Sequence, residues 1–160
     1  MSKVRSARTA ERGDAVESLD LRFDDLDALL GYRVRRAQGA IHRDYMAAIA
    51  GLDVTQKQTA TLWLIHANPG VSQASLASSL GMDRATMMAV VDRLEDRGFV
   101  IRQRSVADRR RQELYLTPAG QGFLRKVKTR IVAHERRFTA CFKPAELAAL
   151  MSALTKIARA

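Results

Sequence analysis

The chain has 160 residues, with 27 Lys and Arg against 17 Asp and Glu, which gives a formal net charge of +10. An apolar fraction of 47% and a single cysteine exclude wholesale disorder and a disulfide framework. No apolar run approaches the roughly 20 residues of a membrane span. We expect a cytoplasmic protein that needs no cofactor, and the surplus of positive charge favours an anionic partner.

The positive charge is unevenly distributed. Residues 1–22 are first basic and then acidic, without helical periodicity, and we predict a flexible N-terminal arm. Basic residues return in 97–111, which contains six arginines, and in 125–137. The second stretch fits a solvated helix face. In the first, arginines crowd a short non-helical segment, where they repel one another unless an anion binds.

Two helices are predicted in the first part of the chain. Residues 24–50 carry apolar side chains at helical spacing, which predicts one helix that Gly51 ends. Its apolar stripe consists of Leu26, Leu30, Val34, Ala37, Ile41 and Ala48. Thr55 and Gln58 fit a capping box that begins a second helix, ending near Ala67.

Two shorter helices follow. Ser72 is the predicted N-cap of a third helix over 73–80, which Gly81 closes. Asp83 caps a fourth helix that ends before Gly98. The side chains that share the apolar face of this fourth helix are Met87, Val90, Val91 and Leu94.

The pattern then changes from helical to strand period. Residues 99–104 and 112–116 are predicted to form two short strands joined by a basic loop. Thr117 caps a long helix that reaches about Ala140, and a last helix begins at Pro144. The last helix has a narrow apolar seam of Leu147, Leu150, Met151, Leu154 and Ile157.

This order of elements describes a winged helix-turn-helix over residues 51–117, a mainly α fold with a small β-ribbon as its wing. We call the fourth helix the reader helix, because it keeps one face in the core and offers small residues and arginines to the DNA major groove. The arginines at the ribbon tip would reach phosphates or a minor groove. The predicted DNA-binding residues are Ser72, Gln73, Ser75, Arg84, Thr86, Met88, Ala89, Arg93, Arg104, Asp108, Arg109, Arg110 and Arg111.

Three motifs make the chain similar to a known family. Residues 52–58, which begin LDVT, resemble the start of its second helix, and residues 92–100, DRLEDRGFV, resemble the end of its reader helix. Residues 108–120 match its wing signature, D-x-R…L-x-L-T-x-x-G. On these motifs the chain resembles the MarR family of bacterial transcription regulators. The resemblance implies a winged-helix homodimer, commonly a repressor, that releases DNA on binding a small ligand. It also implies that Asp108 braces the wing and that Arg110 contacts DNA.

The two ends of the chain independently favour a dimer. Residues 23–50 and 118–160 hold long helices with apolar seams, which the module of residues 51–117 is too small to cover. A two-fold interface built by both ends would bury these seams. We therefore predict a helical dimerisation region, with two reader helices about one DNA turn apart on a pseudo-palindromic operator.

The resemblance also implies a ligand site between the dimerisation helices and the DNA-binding lobe. The corresponding faces of the first and second helices combine aromatic, polar and basic side chains. The predicted ligand-binding residues are Arg35, Gln38, His42, Arg43, Tyr45, Met46, Thr59, Trp63 and His66. Aromatic walls and nearby arginines suit an aromatic acid or its coenzyme A thioester. The alternative is that the histidines are ordinary, partly buried residues and that Trp63 belongs to the core.

Other functions are open on the sequence alone. Thiol redox sensing would use Cys141, but we expect this cysteine to be buried and structural, since the family's peroxide sensors carry theirs near the start of the first helix. A non-specific architectural DNA-binding protein would show neither sequence preference nor a ligand response. The histidines are too far apart for a zinc motif, and the acidic residues of the reader helix fit local salt bridges. We therefore expect neither a metal site nor an enzyme.

Overall fold

The computed structural model describes residues 22–105 and 111–160, and the chain divides into two compact units after Arg36. In chain order, the elements are a 3₁₀ turn Asp24–Ala28, α1 Leu30–Ala48, α2 Gln56–Ala67, α3 Gln73–Ser79, α4 Arg84–Asp96, β1 Val100–Arg104, β2 Gln112–Leu116, α5 Pro118–Thr139 and α6 Pro144–Ile157. These helices and the two-stranded ribbon confirm the predicted fold class, a mainly α winged helix-turn-helix. Helix α4 is the predicted reader helix. Within the described ranges, no helix is long and apolar enough to cross a membrane. Almost all of the predicted arm lies outside them.

The N-terminal unit corrects the prediction of one helix over 24–50. A 3₁₀ turn comes first, its opening residue in the left-handed region (φ 47°), and the extended Leu29 (ψ 124°) separates it from α1. Arg33 Nε donates to the carbonyl oxygen of Asp27 at 2.6 Å, an acceptor that a continuous helix would use for its own backbone. Aspartate also competes with helical hydrogen bonds, which explains the break in this acidic segment.

The predicted N-caps are confirmed. The Thr55 N–H donates to Gln58 Oε1 (2.9 Å), and the Gln58 N–H donates to Thr55 Oγ1 (3.2 Å), so both halves of the capping box form. Ser72, Asp83 and Thr117 cap α3, α4 and α5 with their side chains. These local hydrogen bonds fix where each helix begins.

The main core lies among α2, α3, α4, the ribbon and the first turns of α5. It contains Leu62, Ile65, Leu76, Ala77, Met87, Val90, Val91, Leu94, Val100, Leu114 and Leu124. The apolar stripe of the reader helix is thus buried as predicted. β1 and β2 are antiparallel, with Val100 opposite Leu116. Val71 adds an unpredicted bridge to Leu114, which extends the ribbon pairing to the segment before α3.

Helix α5 begins against the base of the ribbon. Thr117 Oγ1 donates to the Gly98 carbonyl oxygen (2.6 Å), and the Thr117 N–H donates to the Phe99 carbonyl oxygen (3.0 Å). Gly120, one turn later, is buried, and a Cβ there would lie 2.0 Å from the Phe99 carbonyl oxygen. The glycine of the wing signature therefore permits a close backbone approach that no other residue allows.

The end of α1 is tied to α5 by polar contacts. Arg130 donates to the Ala50 carbonyl oxygen (2.8 Å). His134 is 2% exposed, and its Nδ1 lies 2.5 Å from Asp44 Oδ2, while Arg137 binds the other oxygen of the same carboxylate. Hydrogen bonds from His134 and then Arg137 hold the pKa of Asp44 below its ordinary value. The basic stretch of α5 is therefore more than a solvated face, because two of its arginines stabilise the fold.

The C-terminal end differs from the prediction at Cys141. This cysteine is exposed, not buried, and its Sγ donates to the Phe138 carbonyl oxygen at 2.8 Å. The reason is that His134 is the last buried residue of α5, so the turn after Thr139 lies beyond the core. Helix α6 buries none of its residues in the single chain, and its predicted apolar seam is largely exposed, most strongly at Met151 (59%).

Candidate DNA-binding face and ligand groove

The reader helix presents a partly basic outer face opposite its buried stripe. Arg84, Met88, Ala89 and Arg93 are all exposed. Within the described part of the chain, neither arginine of this face forms an ion pair. A shallow notch of about 300 Å³, lined in part by Gln73, lies where α3 meets the first residue of the reader helix. Predicted DNA contacts from both helices of the helix-turn-helix thus come together at one end of this face.

Three of the predicted DNA contacts are already engaged in the N-terminal caps of their helices. Thr86 Oγ1 donates to Asp83 Oδ2 (2.6 Å), and its N–H donates to Asp83 Oδ1 (2.8 Å). These bonds lower the pKa of the Asp83 carboxyl. Ser72 and Ser75 are hydrogen-bonded through their hydroxyls at 2.8 Å. The hydroxyls of these residues are therefore already hydrogen-bonded within the chain. Arg84, Arg93 and Met88 are the side chains of this face that are free to contact a base.

Two described arginines of the basic stretch 97–111 make contacts within the chain. Arg97 donates to the carbonyl oxygens of Leu52 and Asp53. Arg102, on β1, contacts the carboxylates of Asp92 and Glu95 on the reader helix, and its side chain is 20% exposed. This confirms the predicted local salt bridges of the acidic residues. It also corrects the view that the whole basic stretch faces an anion, because Arg102 joins the ribbon to the reader helix instead.

The far end of the ribbon retains exposed positive charge. Arg104 and Arg111 are both exposed, and the Ser105 N–H donates to the Arg111 carbonyl oxygen at 3.0 Å. The ribbon is therefore paired to the last described residues on each side. The predicted contacts Asp108, Arg109 and Arg110 lie outside the described residues.

An apolar groove runs between α1, α2 and α5. Its volume is about 330 Å³, and its lining residues are Tyr45, Gln56, Thr59, Ala60, Trp63, Leu64, Leu80 and Ile131. Three of the nine predicted ligand-binding residues, Tyr45, Thr59 and Trp63, therefore meet in one place. Trp63 is 36% exposed, so it forms part of an open wall and is not an ordinary core residue.

The other predicted ligand-binding residues do not line this groove. Gln38, His42, Arg43 and His66 are exposed, so the two histidines are not the partly buried residues of the alternative interpretation. The reason in α1 is that burial begins only at Tyr45, and the preceding turns of the same face have no buried residue. Of the remaining two, Met46 lines a separate groove beside the end of the reader helix, and Arg35 belongs to the N-terminal unit.

Helix α5 supplies one residue of this groove that the sequence prediction omitted, and it carries a second residue beside the groove wall. Ile131 lines the groove, and the Lys128 ammonium lies 4.5 Å from the centre of the Trp63 ring, a cation–π distance. The two are one helical turn apart, so the i, i+3 spacing on α5 was the available signal. In residues 22–105 and 111–160, no cluster of His, Cys, Asp or Glu could hold a metal ion.

Known proteins resemble this chain over most of its length. The MarR family model matches residues 54–111. A transcriptional regulatory protein for the hcr operon of Thauera aromatica is 34% identical over 131 residues, which are 81% of this chain and 79% of that relative.

Solved structures of transcriptional regulators also resemble this chain in fold. The transcriptional repressor CouR, bound to a 23-mer DNA duplex, is 37% identical, with a TM-score of 0.82 over 88% of this chain and 99% of CouR. CouR bound to p-coumaroyl-CoA is 36% identical over the same shares, with a TM-score of 0.78. The PcaV regulator of Streptomyces coelicolor, in complex with its natural ligand, is 31% identical, with a TM-score of 0.78 over 85% of this chain and 96% of PcaV. By sequence and fold, the chain belongs to the MarR family of transcriptional regulators.

Proposed function

We propose that this MarR-type regulator is a repressor that binds a pseudo-palindromic operator as a homodimer in the cytoplasm. An aromatic acid or its coenzyme A thioester binds in the groove beside Trp63 and releases the protein from DNA. The observation that carries the proposal is the reader helix, whose outer face keeps Arg84 and Arg93 exposed while the opposite face is buried. Such a helix can enter a major groove without unfolding any part of the core.

The arrangement of the ribbon supports contact with the DNA backbone on the same side. Arg102 fixes β1 to the reader helix through Asp92 and Glu95, so the two elements meet DNA as one unit. Arg104 and Arg111 are exposed toward the tip and suit phosphate contacts. Arginine forms bidentate bonds with phosphate, which is why positive charge at a wing positions the reader helix.

The exposed seam of α6 supports the homodimer. A soluble single chain rarely leaves a helix entirely without buried residues while Leu150, Met151, Leu154 and Ile157 face water. A second copy would cover the same surface by two-fold symmetry. The dimer would then place two reader helices on successive major grooves of one DNA face.

The groove supports an aromatic effector. Its volume of about 330 Å³ falls at the small end of ligand sites, and Trp63 offers a flat wall for a ring. The Lys128 ammonium beside that wall supplies a cation for a carboxylate or a thioester carbonyl. CouR binds p-coumaroyl-CoA, and we infer that this chain binds a ligand of the same general kind.

One binding experiment tests both parts of the proposal. Labelled duplex from the region upstream of the protein's own gene is titrated with protein, against a scrambled duplex of the same composition. We expect at least roughly 10³-fold tighter binding to the upstream duplex. Arg84→Ala should reduce that ratio, whereas Arg136→Gln, which removes an exposed charge from α5, should leave it unchanged.

The second part of the experiment tests release from DNA by candidate effectors. Addition of p-coumarate, cinnamate and their coenzyme A thioesters to the protein–duplex complex should release DNA with at least one of the four. Equal binding to both duplexes would instead identify an architectural DNA-binding protein. Preference for the upstream duplex with no release by any of the four would contradict the effector proposal.

A further inference from the structure

The reader helix carries one large apolar side chain on its outer face. Met88 is 53% exposed, whereas the other large apolar residues of the helix, Met87, Val90, Val91 and Leu94, are buried. All residues of this helix are among those that the structure describes, and Met88 belongs to neither apolar cluster of the core. A single exposed methionine on an ordinary surface needs no explanation. On a face that enters a DNA groove, its chemistry limits which bases it can contact.

The neighbours of Met88 leave it room to reach the edges of the bases. Ala85 and Ala89 are both exposed, and neither side chain extends beyond Cβ. Arg84 lies one helical turn before Met88, and the i, i+4 spacing places the two side chains next to each other. The helix backbone can therefore approach the floor of a major groove at this turn, with Met88 as the longest apolar group that enters it.

The acidic residue next to Met88 is already paired within the chain. The Asp92 carboxylate, one turn after Met88, binds Arg102 of β1. A free carboxylate on this face could accept a hydrogen bond from the amino group of cytosine, but a paired one is less available. Arg84 therefore supplies the free polar contact of this part of the helix, and Met88 supplies the apolar one.

The major groove offers an apolar side chain one kind of partner. Every base pair presents hydrogen-bond donors or acceptors there, and the C5 methyl group of thymine is the only apolar substituent. A thioether is a weak acceptor and no donor, so a polar base edge covered by Met88 loses water without gaining a hydrogen bond. A thymine methyl group instead gains an apolar contact. The unbranched methionine chain, with its rotatable bonds, can adapt to the position of that methyl group.

We propose that Met88 determines operator specificity by packing against the C5 methyl group of a thymine in each half-site. This inference rests on the proposed function, in that it takes the reader helix to enter the major groove of an operator. It adds the base that is recognised and the side chain that recognises it. Arg84, beside Met88, contacts a neighbouring base pair or phosphate.

The test removes the thymine methyl group from the DNA and changes nothing else. Synthetic duplexes of the region upstream of the protein's own gene carry deoxyuridine in place of one thymine at a time. Each duplex is titrated with the unchanged protein, with Met88→Ala and with Met88→Leu, which keeps an apolar side chain of similar size. Val132→Ala is the matched control, because Val132 is also an exposed apolar residue (45%) but lies on α5.

For the unchanged protein, we expect deoxyuridine at one position of each half-site to weaken binding about fourfold, the effect of leaving one methyl group in water. Substitution in both half-sites should weaken it about fifteenfold, since the two sites are far apart and independent. In Met88→Ala the ratio at these positions should fall to about one, whereas Met88→Leu and Val132→Ala should keep it. Far-UV circular dichroism should show that Met88→Ala is as helical as the unchanged protein, because Met88 lies outside the core.

Three results would overturn the inference, and they distinguish it from the proposed function. If the protein prefers the upstream duplex to the scrambled one but deoxyuridine weakens binding at no position, no thymine methyl group is read, and the proposed function stands. If the weakening persists unchanged in Met88→Ala, another side chain reads the methyl group. If the upstream duplex is not preferred at all, the proposed function is wrong and the inference about Met88 falls with it.

Discussion

The close approach of α5 to the ribbon makes Gly120→Ala an informative change. The added Cβ would lie 2.0 Å from the Phe99 carbonyl oxygen and 2.9 Å from its carbon, whereas real Cβ atoms essentially never approach within 3.0 Å. The two backbones must therefore separate by at least about 1 Å. That movement would stretch the hydrogen bond from the Thr117 N–H to the same carbonyl oxygen.

The cost of the change follows from these contacts. Overpacking costs roughly 1–3 kcal/mol, and one weakened backbone hydrogen bond adds about 1 kcal/mol. Replacing a helical glycine by alanine offsets this by about 0.5–1 kcal/mol. We therefore expect the free energy of unfolding to fall by about 1–3 kcal/mol, which lowers the Tm by roughly 2–12 °C for a chain of this size.

Gly122→Ala is the matched control in the same helix. A Cβ at Gly122 would meet only the Arg125 side chain, at an ordinary 3.7 Å. Only the gain in helix propensity remains, so this variant should be more stable by about 0.5–1 kcal/mol. Both variants are compared by thermal unfolding at one protein concentration, because the stability of a dimer depends on concentration. A Tm for Gly120→Ala at or above that of Gly122→Ala would refute the close approach.

Two further changes test the wing and the α1–α5 contact. Arg110→Gln should weaken operator binding and reduce the slope of log K against log salt by about one unit for each subunit, because one phosphate contact is lost. Arg136→Gln is the control variant. Equal slopes for the two variants would exclude a phosphate contact by Arg110. Hydrogen bonds with His134 and then Arg137 lower the pKa of Asp44 in the folded chain. The stability that Asp44 contributes is therefore present above the ordinary aspartate pKa and is lost as the pH falls through the lowered value. Urea unfolding between pH 7 and pH 3 should therefore show a smaller acid loss of stability in Asp44→Asn than in the unchanged protein, and parallel pH curves would contradict the contact.

Features with local causes could be predicted from the sequence. The capping box of Thr55 and Gln58 and the N-cap Asp83 depend on residues three positions apart, so their spacing alone indicated the helix starts. The buried stripe of the reader helix and the bounds of β2 followed from periodicity in the same way.

Features with distant causes could not be predicted. The position of Tyr45 at the first buried turn of α1 depends on where α2 and α5 pack, and periodicity placed His42 on the same face without showing that it lies beyond the core. Ile131 lines the groove and Lys128 lies over the Trp63 ring, although both are more than sixty residues from Trp63 in sequence. The break at Leu29 depends on a side-chain contact that no helical pattern indicates.

The same distinction between local and distant causes changes how the net charge of +10 relates to DNA binding. Every arginine adds the same amount to the net charge, whatever its contacts. Arg102, Arg130 and Arg137, however, are bound by carboxylates or carbonyl oxygens of the same chain. An arginine so engaged would have to break an internal bond before it could release a counterion from DNA, and it therefore adds little to the salt dependence of binding. Arginines that have no such partner among the described residues, as at Arg84 and Arg93, would contribute in full wherever they contact a phosphate. The salt slope of operator binding should accordingly follow the exposed, unpaired arginines of the reader helix and wing and not the net charge of the chain.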